Sequence, residues 1–264
     1  MSKSVITYVC NGRLGNNIIQ YLAAKLFATT IKGLLLPPPA NGKNPYFLSD
    51  AEFANFMLEE TTKNTEKYSG KCICLNEYYQ RADIFQQHIP FILQSLKDTA
   101  VFNHQIRFCD LFVQMQVPDE NTLVVHLRLD DFNFQGSSNV VDPQFFIDQI
   151  KESHCKQVIL VVDKLKYEGE VNYVNKIVNQ TPDVSYSFHQ KSVLEDWNLL
   201  RVAPYVISSN SSFAWTACFI GKCQHPQKRV IYPLTHFYGH QDFACKDWEG
   251  WNNVEATRFD FMKG

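Results

Sequence analysis

The sequence predicts an α/β protein whose C-terminal half is built on a parallel sheet, and three observations carry that expectation. From Thr122 onward short β-branched runs alternate with helix-periodic segments; strands that alternate with helices over such a length pair in parallel beneath helices on both faces. Near the start, Val5–Val9, a glycine-containing turn and an apolar-periodic stretch form a separate strand–turn–helix unit. Finally, Ile207-Ser208-Ser209-Asn210-Ser211-Ser212-Phe213-Ala214-Trp215 ends an apolar strand against hydroxyls that open a helix.

In chain order, Val5–Val9 is the first strand and Asn11-Gly12-Arg13-Leu14-Gly15-Asn16 the turn. Ile18 to Ile31 follows as a helix. Pro37-Pro38-Pro39, Gly42 and the charged run Glu59–Lys67 place loops and insertions over 37–70, although Cys72-Ile73-Cys74 alternates as a strand does. Apolar residues recurring at near-helical spacing (Ile84, Ile89, Phe91, Ile92, Leu96) predict a helix over about 83–113, broken at Pro90. Pro118 and the polar Asp119-Glu120-Asn121 mark the boundary between an N-terminal domain, 1–118, and a C-terminal one, 119–264.

The second domain reads as strand 122–128, helix 143–152 with Asp142 as cap and Pro143 in its first turn, strand 157–162, helix 168–179 and strand 184–188. Helix 193–203, strand 205–208, helix 212–220 and strand 229–232 complete it. Ser192-Val193-Leu194-Glu195 is a capping box. This half is therefore Rossmann-like, with ligands expected where the strands end: His126 and Arg128, Asp163, and the Ser209–Ser212 run.

Composition excludes several classes. The 264 residues are 45% hydrophobic and 20% charged with formal net charge −2, so no global basic field points to nucleic acid or an anionic membrane. No apolar run approaches the ~20 residues of a membrane span, and the expected location is cytoplasmic. Eight cysteines without a C-x-x-C pair read as free thiols rather than a zinc site or disulfide framework.

His126 and Arg128, two apart on an otherwise apolar strand, share one face, and a buried cation needs a partner. Arg128 either pairs with Asp130 or Asp131 or forks onto a phosphate; His126 is a hydrogen-bonded structural histidine or part of the same site. Ser209–Ser212 is either an ordinary helix cap or a phosphate seat, where helix-start N–H groups and hydroxyls meet an anion.

Three motifs in order carry a resemblance. Gly12-Arg13-Leu14-Gly15-Asn16-Asn17 with Gln20-Tyr21 resembles the opening motif of α-1,2-fucosyltransferases. His126-Leu127-Arg128 resembles the H-x-R segment of the wider fucosyltransferase superfamily, and Ser209–Trp215 is similar to the S-N-S-S-F-S-W segment of the α-1,2 family. The resemblance implies a GT-B-like fold of two Rossmann-like domains with a cleft between them. It implies an inverting, metal-independent transferase without cofactor, using GDP-fucose as donor and a glycan hydroxyl as acceptor. Arg128 is then the catalytic cation, and Arg128 with Ser211 or Ser212 holds the β-phosphate beside Asn210. His126 lies by the guanine, Asp163 supplies the acid after the second strand, and Asp196 stands where the superfamily has an acid that reads the base.

In the N-terminal domain Arg13 and Asn16 either face acceptor or donor sugar, or act structurally, Asn16 as a helix cap and Arg13 as a turn closure. Three departures from the motif stand out: Leu129 replaces a second arginine, Asp130 stands where glycine is common, and Val162-Asp163-Lys164 replaces an S-D-D segment. A donor carrying another deoxysugar, or an inactive sugar- or nucleotide-binding relative, is the alternative.

Overall fold

The computed structural model describes residues 3–38, 45–59, 65–103, 106–129, 140–235 and 243–259. The chain divides into two units, residues 1–112 and 113–264.

In the first unit, β1 (Val5–Tyr8) leads through the turn into α1 (Leu14–Thr30), followed by β2 (Leu34–Leu35), β3 (Tyr46–Leu48), α2 (Asp50–Leu58) and β4 (Cys72–Leu75). These strands form a parallel sheet in the order β2-β1-β4-β3, with Val5 opposite Leu34 on one side and Cys72 on the other. The turn needs its glycine: Gly12 has φ +79°, and a Cβ there would lie 2.4 Å from the Asn16 amide nitrogen. Buried rings of Phe27, Phe53, Phe56 and Tyr68 pack between α1, α2 and the sheet at edge-on angles.

Two expectations for this unit are corrected. Residues 37–70 were expected as loops, yet they hold β3 and α2, the latter capped by Ser49, whose hydroxyl accepts from the Glu52 N–H at 3.2 Å. The helix expected over 83–113 with a break at Pro90 is two short ones, α3 (Ala82–Gln87) and α4 (Ile89–Ser95), and it ends well short of 113. They are followed by the antiparallel pair β5 (Val101–Asn103) and β6 (Ile106–Arg107) and a 3-10 turn at Phe108–Leu111. The break falls at His88, two residues before Pro90, because proline is accommodated in a helix's first turn, where its missing N–H costs nothing.

The second unit runs β7 (Thr122–Leu127), α5 (Pro143–Ser153), β8 (Gln157–Val162), α6 (Glu168–Gln180), β9 (Ser185–His189), α7 (Val193–Val202), β10 (Tyr205–Ile207), α8 (Ser212–Gln224), β11 (Arg229–Leu234) and β12 (Trp251–Glu255). All six strands pair in parallel in the order β12-β11-β10-β7-β8-β9. Numbered from β7, this is 6-5-4-1-2-3, the strand order of the doubly wound nucleotide-binding sheet, whose direction of winding reverses between β7 and β10. On one face Leu123, Val125 and Leu127 join Val158, Leu160 and Val162 beneath α5 and α6.

The expected helix starts are present. Asp142 accepts from the Gln144 N–H at 2.8 Å, and Ser192 and Glu195 form the reciprocal capping box. On the other face α7 and α8 pack closely, with the Trp197 indole N–H donating to Thr216 at 3.1 Å. The approach is closest at Gly221, where an added Cβ would sit 2.1 Å from the Arg201 carbonyl oxygen. Gly221→Ala will therefore cost about 3 kcal/mol, read as a lowered urea midpoint, because backbone rather than a flexible side chain must yield.

Candidate functional site

β7 is buried along its whole length, and its alternation sorts the residues that follow. Leu127 and Leu129 turn into the core beneath α5, whereas His126 and Arg128 turn the other way, toward the loop after β10. Because β7 and β10 are parallel neighbours with Val124 opposite Val206, residues 83 positions apart meet twice in succession. His126 Nδ1 and Ser209 Oγ share a hydrogen bond of 2.7 Å, and Arg128 Nη1 donates to Ser211 Oγ at 3.0 Å.

Ser211 is also the N-cap of α8. Its Oγ accepts the Phe213 N–H at 3.3 Å and its carbonyl takes the first helical bond, from Trp215. With both acceptor positions of Ser211 Oγ occupied, the hydroxyl proton is left to donate. Ser212, partly exposed, opens the helix beside it. Arg128, Asn210, Ser211 and Ser212 are thus gathered at the positive end of a 13-residue helix, at the switch point of a parallel sheet.

His126 carries no charge here. Burial, reinforced by the neighbouring Arg128 cation, pushes its imidazole down to about 3. Only 7% of its surface is exposed, and Phe213 lies across the ring at 5.6 Å between centroids. Position 129 explains the motif's missing second cation: Leu129 is buried as part of the apolar cluster beneath α5, where an arginine would lack a polar partner in that cluster.

A second group forms on the same C-terminal edge, after β8 and β9. Asp163 and Asp196 line a cavity of about 290 Å³ with Val162, Lys164, Lys166, Gln190 and Lys191. Asp196 Oδ1 takes two bonds, from His189 Nδ1 at 2.7 Å and from the Lys191 N–H at 3.2 Å. Burial pushes the Asp196 carboxyl up, and these two partners oppose that. His189 was not among the expected site residues. Its only sequence signal is its place at the end of β9, whose Ser-Tyr-Ser-Phe-His alternation has one polar face.

Arg13 and Asn16 belong to the first unit. Arg13, not Asn16, occupies the N-cap position of α1, with no side-chain cap bond, so the structural alternative for Asn16 is corrected. Asn16 instead accepts from the Gln80 amide at 3.2 Å, and Asn17 donates to the Gly12 and Arg13 carbonyls. Gln20 and Tyr21 of the same motif are interior. Gln20 ties the Asn11 N–H to the Glu77 carbonyl, and the Tyr21 hydroxyl donates to Asp98. Asp130 and Asp131 lie outside the described residues.

The eight cysteines form no disulfide, and no described helix is long and apolar enough to cross a membrane. Fold and geometry together define an α/β protein in which a cation, two serine hydroxyls and a helix N-terminus meet at the switch point of its second unit. No family model and no curated protein matches the chain. Among solved structures it is similar to a mutant of FUT1 from Arabidopsis thaliana in complex with GDP, at 12% identity and a TM-score of 0.48, over 84% of this chain and 69% of that one.

Proposed function

We propose that this chain is an inverting, metal-independent glycosyltransferase that moves L-fucose from GDP-fucose to a sugar hydroxyl. The observation that carries the nucleotide part is the Arg128–Ser211 contact at the start of α8, in the crevice where the winding of the sheet reverses. The choice of fucose rests on the three sequence motifs at Gly12–Tyr21, His126–Arg128 and Ser209–Trp215.

Chemically, such a transfer develops positive charge on the sugar and negative charge on the departing diphosphate. Groups that meet the diphosphate more strongly in the transition state accelerate the step. Arg128 supplies the cation, the Ser211 hydroxyl and the first N–H groups of α8 supply donors, and the helix dipole adds to them. Ser211 also holds Arg128 Nη1, so the cation is oriented before the ligand arrives. Asp163, just after the second strand of the order, suits the ribose hydroxyls, and Asp196 the base. By the same resemblance His126 lies by the guanine, and its buried ring also holds Ser209 beneath the seat. The two-domain GT-B arrangement with its cleft, acceptor contacts by Arg13 and Asn16, and cytoplasmic location belong to the same proposal.

The packing of Leu129 in the core favours a second reading, a relative that binds nucleotide sugar without transferring it, because a single arginine then faces the seat. A thermal-shift series with GDP, UDP and dTDP tests the donor class. GDP alone will raise the midpoint, by about 5 °C or more at a hundred times its Kd, since binding there adds about 2.7 kcal/mol to the folded state. A preference for UDP or dTDP overturns the donor assignment. Binding of GDP with no turnover of GDP-fucose, either to water or to a panel of glycan acceptors, selects the second reading.

A further inference from the structure

We propose that His189 is a positioning residue for base selection, holding Asp196 so that only the Oδ2 oxygen of that carboxylate is offered to a base N–H in the cavity. This rests on the nucleotide reading above.

The geometry is specific. A carboxylate only accepts, so the 2.7 Å contact places the proton of His189 on Nδ1. The Lys191 N–H goes to the same oxygen, and the two donors together fix the carboxylate plane. Asp196 Oδ2 accepts no hydrogen bond from the described residues, and Asp196 lines the cavity that also holds Asp163 and Gln190. His189 itself lines a different space, an open groove of about 840 Å³ along β8 and β9 with Gln157, Ser185 and Ser187. It therefore acts on the cavity through Asp196. The contact also joins the end of an edge strand, paired only with β8, to the first turn of α7, where the dipole favours a negative charge.

One oriented acceptor oxygen discriminates between bases. With the base held in register, an acceptor opposite its N1 position meets a donor, N1–H, in guanine and a lone pair in adenine. With His189 removed, the carboxylate rotates, and its remaining support is the single Lys191 N–H.

The test uses the full chain, with GDP, ADP and pyrophosphate titrated calorimetrically into wild type, His189→Ala and His189→Asn. Wild type is expected to bind GDP more tightly than ADP. His189→Ala should lower that preference about tenfold, the worth of one charge-assisted hydrogen bond, with pyrophosphate affinity unchanged. His189→Asn, whose amide nitrogen falls near the Nδ1 position, should restore the preference to within about threefold. An unchanged GDP-to-ADP ratio in His189→Ala overturns the positioning role. Wild type that binds GDP no more tightly than pyrophosphate overturns the base-binding reading and this role with it.

Discussion

On the transferase reading proposed above, Arg128→Ala lowers transfer from GDP-fucose by about a thousandfold or more, with the fold kept. Arginine donors that meet developing charge on phosphoryl oxygens are worth about 10³–10⁵ in rate, and single oxyanion donors about 10²–10³. Arg128 combines both conditions, since His126 beside it is neutral and position 129 is apolar and buried. The hydrogen bond to Ser211 that the variant gives up is worth about 1 kcal/mol, and Ser211 keeps its cap bond to Phe213. The measurements are turnover of GDP-fucose, with water or glycan as acceptor, together with GDP affinity and the unfolding midpoint. kcat should fall far more than affinity, because the interaction matures in the transition state. Arg128→Lys should recover only a minor part of the rate, since an ammonium restores charge without the planar fork. Full activity in Arg128→Ala would sink the assignment of this residue to the diphosphate.

Why the seat was only half legible follows from topology. The strands of the second unit stand out because parallel strands covered on both faces read as near-continuous runs of Val, Ile and Leu, as at 122–127 and 157–162. Strand order leaves no such trace. That Arg128 meets Ser211 depends on β7 and β10 being neighbours across 83 residues. The His189–Asp196 contact is nearer in sequence but equally hidden, because it joins a strand end to a helix start around a loop. β12 was missed for a different reason: Trp-Asn-Asn-Val-Glu carries two poor strand formers and pairs only with β11 at the sheet's edge. In the first unit Pro90 marks the break between α3 and α4, whereas the end of the helical stretch at Ser95 carries no such mark in the sequence.

The second large effect is on stability in acid. In the unfolded chain His126 takes up a proton as the pH falls through about 6.5, whereas in the folded chain burial beside Arg128 delays that uptake to about 3. Through this window the unfolded state holds the extra proton, so folded stability falls as pH falls, by up to about 1.4 kcal/mol per unit and on the order of 5 kcal/mol in all. That is a large share of the 5–15 kcal/mol typical of a domain. Other groups titrate in the same range, so the decisive quantity is the difference between wild type and His126→Asn, whose amide can still reach Ser209. At pH 7 the variant should be less stable by about 1–2 kcal/mol, from lost ring packing against Phe213. By pH 4 the gap should close and reverse, because asparagine has no proton to take up. Urea midpoints at pH 7, 5.5 and 4 read this directly. A gap that stays constant with pH would mean that His126 protonates in the folded chain as readily as in the unfolded one. The seat would then gain a further cation in mild acid, and diphosphate affinity would rise as pH falls, whereas a neutral His126 leaves the charge of the seat to Arg128 among the described residues.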